Sequence, residues 1–254
     1  RRSQKSGVRT RQLPGVSPLV FSRFLLEKTA FLSLSDMGKA LPSYEEIPIA
    51  CRMDEAVQSE YKRIENALVR VLRSDRRAAQ KILSAYLNLL TVYPDQPYDQ
   101  KPILYPDSDV PIVEPENIGD ADTLREKEQR TLEIVRAAIQ NGERALIYTS
   151  WVRTDSQQKL KKLLTDEGYR TEILTDKIKT TNREEWVQKK LAAGMQVLIV
   201  NPSLVETGLD LNAFTTLVFY SMGYKLFTLR QASRRSWRIN QKAPAVKVYM
   251  LYYE

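Results

Sequence analysis

The 254-residue sequence contains no histidine. Without an imidazole it can build no Ser-His-Asp triad, no histidine-ligated zinc site and no histidine general base, which removes much of ordinary hydrolase chemistry. A single cysteine, Cys51, leaves no internal disulfide framework and fits a reducing compartment, so a cytoplasmic protein is expected. No apolar run reaches the roughly 18 residues that a membrane span needs, and no secretory leader pattern is present, so no membrane contact is expected. Glycine is scarce, nine residues in all, and none opens a G-x-x-x-x-G-K-[ST] phosphate loop. Gly38 and Lys39 come nearest, but Ala40 follows them and the first glycine is missing.

What remains is an ordinary globular balance, 43% hydrophobic and 28% charged residues, with a formal net charge of +8. That excess favours a polyanionic partner, nucleic acid first among them. The sequence starts on Arg1 and ends on Glu254 straight after the strand-like run VKVYMLYY, so it is expected to be cut from something longer.

Three segments are expected. Residues 1–17 are a basic lead-in, expected to be mobile, since RRSQKSGVRTRQ carries five basic side chains, no acidic one and no apolar period. Residues 18–120 follow. Within them Val57, Tyr61, Ile64, Leu68 and Leu72 recur at helical spacing behind Asp54, and Ala79, Ile82, Leu83, Tyr86 and Leu90 recur behind Asp75. This predicts a hairpin of two amphipathic helices. The tetrapeptide from Asp54 to Val57, DEAV, imitates a magnesium-binding carboxylate pair, but no phosphate loop precedes it and Asp54 fits better as a helix cap. Prolines at 94, 97, 102, 106, 111 and 115 then predict a long ordered loop or linker.

In residues 121–254 short apolar runs, ALIYTSW, YRTEILT, MQVLIVNP, TTLVFYS and VKVYMLYY, alternate with helical patterns. An α/β fold is predicted, a parallel sheet with helices on both faces, preceded by the helical hairpin. Ligands of such sheets sit at the carboxyl ends of the strands, where YTSW, NPSLVETGLDL and SMGYK fall. The run QASRRSWRINQ, residues 231–241, comes next and puts Arg234, Arg235 and Arg238 within five residues. Such a cluster is either a phosphate-binding fork or an exposed basic helix face, and its place after the last strand-end loop favours the fork.

The runs ALIYTSW, VLIVNPSLVETGLDLNAFTTLVFYS and QASRRSWRINQ, in this order, resemble motifs four, five and six of superfamily-two helicases, the Swi/Snf-like branch above all. SRFLLEKTAFL, ALPSYEEIPIACRMDEAVQSEYKRI and LNLLTVYPDQPYD look like that branch's segments between its two motor lobes. The resemblance implies a C-terminal RecA-like lobe at 121–254 behind an interlobe linker and helical protrusion at 18–120. It also implies ATP with magnesium, the metal ligands lying on a missing N-terminal RecA-like lobe of the same chain, and a nucleic acid partner, duplex DNA by analogy. No metal ligand is expected in this chain. By match to the motifs, Arg235 and Arg238 are the arginine fingers, on one face of a helix, with Gln231 helping to align them. Gly208, Asp210, Glu206 and Thr207 would approach ATP, and Thr149, Ser150, Arg153, Lys177, Asn201 and Ser203 would touch the nucleic acid. Any of these can also be an ordinary loop polar residue. Since the segment lacks the long insertions of eukaryotic remodellers, a bacterial or phage-encoded protein is expected.

Three departures stand out: Pro202 in place of threonine, and Arg234 and Asn240 in place of glycines. Trp237 replaces a histidine, for packing or for a role in the nucleotide site, and packing is the favoured reading. The departures keep a second possibility open, a degenerate lobe that binds nucleic acid or protein without catalysis. Lacking the triphosphate cradle and metal carboxylates, the 254-residue chain by itself is predicted not to hydrolyse ATP. A phosphate-release assay with nucleic acid present should stay at background, and turnover abolished by Arg238→Ala would refute this.

Overall fold

A computed structural model describes residues 17–30, 41–151, 155–205 and 208–254. The chain forms two compact units, Arg1–Ala40 and Leu41–Glu254. In the first, Pro18–Val20 (α1) is a single helical turn that continues into the π-helical Phe21–Leu25 and the 3₁₀ turn Leu26–Lys28. Pro18 sits at the first helical position, where its missing N–H has no partner to lose. The lead-in expected at 1–17 lies outside the described residues but for its last position.

In the second unit the elements run β1 (Ser43–Cys51), α2 (Glu55–Ser74), α3 (Arg76–Val92), β2 (Ile103–Leu104), β3 (Pro111–Val113), α4 (Glu126–Gln140) and β4 (Ala145–Tyr148). They continue with α5 (Ser156–Asp166), β5 (Thr171–Leu174), α6 (Arg183–Ala192), β6 (Val197–Val200), β7 (Thr216–Phe219), α7 (Leu226–Ser233) and β8 (Ala245–Tyr253). Among the described residues six strands form one sheet in the order β1-β8-β7-β4-β6-β5, and every pair in it is parallel. Side chains alternate across a strand, so each four-residue apolar run feeds two cores. Leu146, Tyr148, Leu198, Val200, Leu217 and Phe219 point to one face and pack with Val187 of α6 and Ala232 of α7. Ala145, Ile147, Val197, Ile199 and Val218 point to the other and pack with Leu132, Val135, Leu160 and Leu164 of α4 and α5. This is the parallel sheet with helices on both faces that the strand and helix rhythm predicts.

Strand β1 departs from the expected segments. Residues 43–51, placed by sequence in the linking segment, pair with β8 in register from Ser43 and Ala245 to Cys51 and Tyr253. A partner some 200 residues away leaves no local mark on SYEEIPIAC, so only the tertiary structure reveals the sixth strand.

The hairpin of α2 and α3 forms as the spacing predicts, with Asp54 at the N-cap position and Asp75 opening α3, its carboxylate accepting from the N–H groups of Arg77 and Ala78. Asp54 pairs with Arg125 at 3.1 Å. The DEAV carboxylates therefore belong to a helix start. The buried stripe is rotated from the predicted one: Val71 is inward while Leu72 is exposed, and Leu89 is inward while Leu83 is exposed. The proline-rich stretch folds back on the hairpin through a short antiparallel pair, β2 with β3, and through Tyr93 Oη donating to the Glu116 carbonyl at 2.8 Å.

Its anchor to the lobe is a buried charge cluster. Lys127 Nζ lies 2.8 Å from Asp95 Oδ1, and side-chain exposures of 5% and 3% put both ions out of water. The ammonium also lies 4.9 Å from the centre of the Tyr220 ring and 4.6 Å from that of Tyr253. Next to it Glu128 accepts from Lys159 at 2.6 Å and from the Tyr220 hydroxyl at 3.0 Å. Burial pushes the Asp95 carboxyl above its ordinary range, against the pull of Lys127. Among the described residues no helix is long and apolar enough to cross a membrane. Replacing Lys127 by Met strands a buried carboxylate and is predicted to cost about 3–5 kcal/mol. Urea denaturation should show this loss, with much of it recovered when Asp95→Leu is added.

Candidate nucleotide and nucleic-acid site at the strand ends

All six strands of the sheet end at the same edge. There β4 and β7 are neighbours whose continuations part: β4 leads through α5 toward the β5 edge, and β7 leads through α7 toward β8. Where successive connections diverge, a crevice opens at the strand ends. Ser150 stands in it. Its N–H donates to Ser221 Oγ at 2.8 Å and its hydroxyl to the Ser221 carbonyl at 3.0 Å, while Asn201 Nδ2 donates to the Ser150 carbonyl at 3.0 Å. Asn201 also turns the chain after β6. Its carboxamide oxygen accepts from the N–H and the hydroxyl of Ser203, at 2.9 and 2.6 Å, and Pro202 begins the 3₁₀ turn that follows. Ser150, Asn201 and Ser203 thus meet around a cavity of about 270 Å³ that Gly223 and Tyr224 close.

Thr149, predicted to contact nucleic acid beside Ser150, is fully buried, and its hydroxyl accepts from Gln157 Nε2 at 2.7 Å. Strand alternation turns it inward, so of the two hydroxyls only that of Ser150 faces the crevice. Lys177 is exposed on the loop after the edge strand β5, with β6 between it and β4. Arg153, Glu206 and Thr207 lie outside the described residues.

The turn after β6 and the arginine run form one hydrogen-bonded unit. Gly208 has φ +74°, a left-handed conformation that glycine adopts without cost, and nothing lies within 4 Å of where a Cβ would stand. Two residues on, the Asp210 N–H donates to Glu184 Oε2 at 3.0 Å, and its carboxylate accepts from the backbone and side-chain nitrogens of Asn212 at 3.1 and 3.2 Å. Asn212 Nδ2 reaches Asn240 Oδ1 at 2.9 Å, and Gln241 Nε2 donates to the Asn212 and Ser236 carbonyls, each at 2.9 Å. Ser236 Oγ closes the unit on the Leu211 carbonyl at 3.0 Å.

The arginines are not on a helix. α7 stops at Ser233, and Arg235 and Arg238 lie on the turns that follow. The single helical face inferred from their three-residue spacing therefore does not exist. The reason is tertiary: Ser236 is drawn to Leu211, and Trp237 Nε1 donates to the Pro42 carbonyl at 2.8 Å with its ring 4.9 Å from that of Tyr44. Arg234 is exposed at the end of α7, its guanidinium 5.8 Å from the centre of the Trp237 ring. Arg235 is half-buried. Its positive charge opposes the strong upward push that burial gives the Tyr148 phenol at the end of β4. Arg238 is half-buried too, and its carbonyl accepts from the Gln241 N–H at 3.0 Å. Gln231 is half-buried on the last turn of α7. Sequence reasoning passed over Asn212 and Gln241, which join the two motifs. An Asp-x-Asn step such as Asp210 to Asn212 is a recognisable Asx-turn signal, whereas a bond spanning 29 residues is not.

Residues 126–240 match the family model of the helicase conserved C-terminal domain. No curated protein matches the chain in sequence. Among solved structures, the C-terminal part of the Fun30 ATPase domain is similar with a TM-score of 0.61 and 13% identity, over 84% of this chain and 86% of that one. The Sulfolobus solfataricus SWI2/SNF2 ATPase C-terminal domain gives 0.57 and 17%, over 83% of this chain and 80% of that one. The core of the SWI2/SNF2 ATPase of the same organism, in complex with dsDNA, gives 0.62 and 19%, and there the match covers 84% of this chain but 41% of that one. The chain thus has the fold of a Swi2/Snf2 ATPase C-terminal lobe, and within it residues 126–240 are similar to the helicase conserved C-terminal domain.

Proposed function

We propose that the chain is the C-terminal lobe of an ATP-driven nucleic acid translocase or helicase, working with an N-terminal RecA-like lobe of the same protein that carries the phosphate loop and the magnesium ligands. The observation that supports this most is the joining of Asp210 to the arginine run: the bonds from Asn212 to Asn240 and from Gln241 to Asn212 tie the two motifs together. In this reading Arg235 and Arg238 approach the triphosphate when the lobes close and neutralise charge that builds on the equatorial phosphate oxygens in the transition state. Gln231 holds the fingers in line. Gly208 leaves room for the nucleotide against the backbone, Asp210 meets its ribose or orients a finger, and Glu206 and Thr207 complete that turn. ATP and magnesium supply the reacting phosphate and its charge screen. Ser150, with Ser203 and Asn201 behind it, meets backbone phosphates, and Arg153 and Lys177 extend that contact. Duplex DNA is the proposed track, in keeping with the dsDNA held by the Sulfolobus solfataricus core of the same fold.

Because a lysine keeps the charge but loses the planar fork, Arg235→Lys or Arg238→Lys in the full-length protein should lower kcat by roughly 10³–10⁵ with little change in KM. Steady-state ATPase assays in saturating DNA check this. Arg234→Gly should leave kcat near the wild-type value, since Arg234 lies on the exposed side against Trp237. Lysine variants that turn over normally would overturn the assignment. A full-length protein without DNA-stimulated turnover would instead support the degenerate lobe that Pro202, Arg234 and Asn240 leave open.

A further inference from the structure

Beside the crevice lies a larger groove that the proposed ATPase site does not use. It has a volume of about 870 Å³, with α3 on one side, the proline-rich segment along the floor, and Ser150 and Trp151 after β4 on the other. Its two sides are held apart at a set distance. The Tyr224 hydroxyl, from the loop after β7, lies 2.5 Å from Thr91 Oγ1 and donates to the Leu87 carbonyl of α3 at 3.1 Å, and the Tyr224 ring meets the Trp151 indole edge-on at 6.4 Å.

The lining has a consistent chemistry. Along α3 the inward residues Ile82 and Tyr86 go to the hairpin core, while Lys81, Ser84 and Asn88, all exposed, stand on the groove side above Ala85, Leu89 and Val92. Lys101 adds a second ammonium, against one carboxylate, that of Asp99. Lys81 also pairs with Asp107 at 2.8 Å, both side chains standing in water. Such exposed pairs exchange readily for a phosphate. Ammonium groups, carboxamides and hydroxyls line, together with apolar side chains and an indole, a space too small for a duplex and within the range of sites for small molecules, about 300–1,000 Å³. Ligands with anionic links and flat π-faces at short repeat are the match for such a wall.

We propose that this groove binds one or two nucleotides of an unpaired polynucleotide strand, with Lys81 and Lys101 on phosphates, Asn88 on a base edge and Trp151 against a base face. The inference deepens the nucleic acid reading of this lobe and rests on it: the groove opens beside Ser150, so a strand leaving the crevice has a channel under the helical hairpin.

Fluorescence anisotropy of the 254-residue chain with labelled oligodeoxythymidylate of about 12 nucleotides, against a blunt duplex of equal length, tests it. Trp151→Ala should weaken single-strand binding roughly five- to a hundred-fold, with Trp151→Phe recovering most of the loss. Lys81→Ala with Lys101→Ala, two exposed changes that leave the fold intact, should lower the salt slope for the single strand by roughly one to two. Duplex affinity should hold in all of these variants. Wild-type single-strand affinity in both Trp151→Ala and the lysine double variant would overturn the groove while leaving the lobe's duplex contact standing. Equal losses for strand and duplex would overturn it as well, by making the groove part of the duplex site. A chain that binds neither oligonucleotide would overturn the groove and the nucleic acid reading of the lobe together.

Discussion

The buried pair of Asp95 and Lys127 is the contact on which the placement of everything above the sheet depends. Taking each ion out of water costs several kcal/mol, and attraction across 2.8 Å offsets that only when further partners complete the shells. The whole cluster draws on five places in the chain: the proline-rich segment gives Asp95, α4 gives Lys127 and Glu128, α5 gives Lys159, and the ends of β7 and β8 give Tyr220 and Tyr253. Tyr253 further donates its hydroxyl to the Pro94 carbonyl at 3.1 Å. An apolar cluster would tolerate sliding. A desolvated charge cluster has one satisfied arrangement, and so it sets where the hairpin of α2 and α3 stands relative to the strand ends.

From that placement follow the Tyr224 contact to α3 and the groove beneath it, while the crevice between β4 and β7 follows from sheet topology alone. The two spaces share Ser150 and Trp151 as a common wall. Movement of the hairpin would therefore widen or close the groove without disturbing the bonds of Ser150 to Ser221, which lie within the sheet's own strand-end loops.

The arginine run shows how a loop can be made as exact as a helix. Instead of an internal ladder of backbone bonds, residues 234–241 are held from outside, by Leu211 and Asn212 on one side and by Pro42 and Tyr44 on the other. Trp237 and Asn240 both serve in this holding. The strand β1 thus does two things at once: it completes the sheet beside β8, and its Tyr44 ring packs on Trp237, whose indole N–H is received by the carbonyl of Pro42 just before the strand. Whatever displaces β1 displaces the support of Arg235 and Arg238.

By itself the sequence determined the α/β class, the two helices capped near Asp54 and Asp75, the five strands from β4 to β8, and the order of the motifs at their ends. These are local matters, since apolar period, caps and turn residues act over a few positions. Leu83 and Leu72 fell on the wrong side because two adjacent apolar residues leave a helix's inward face free to rotate until a partner chooses it. Only the tertiary structure decided that residues 43–51 join the sheet, that Thr149 turns inward while Ser150 faces the crevice, and that the arginines leave the helix. Each of those outcomes rests on contacts between residues far apart in the chain, from Pro42 to Trp237, from Ser150 to Ser221, from Asn212 to Asn240. Such contacts form only once the sheet has brought its strand ends to one edge, and no short stretch of sequence carries their imprint.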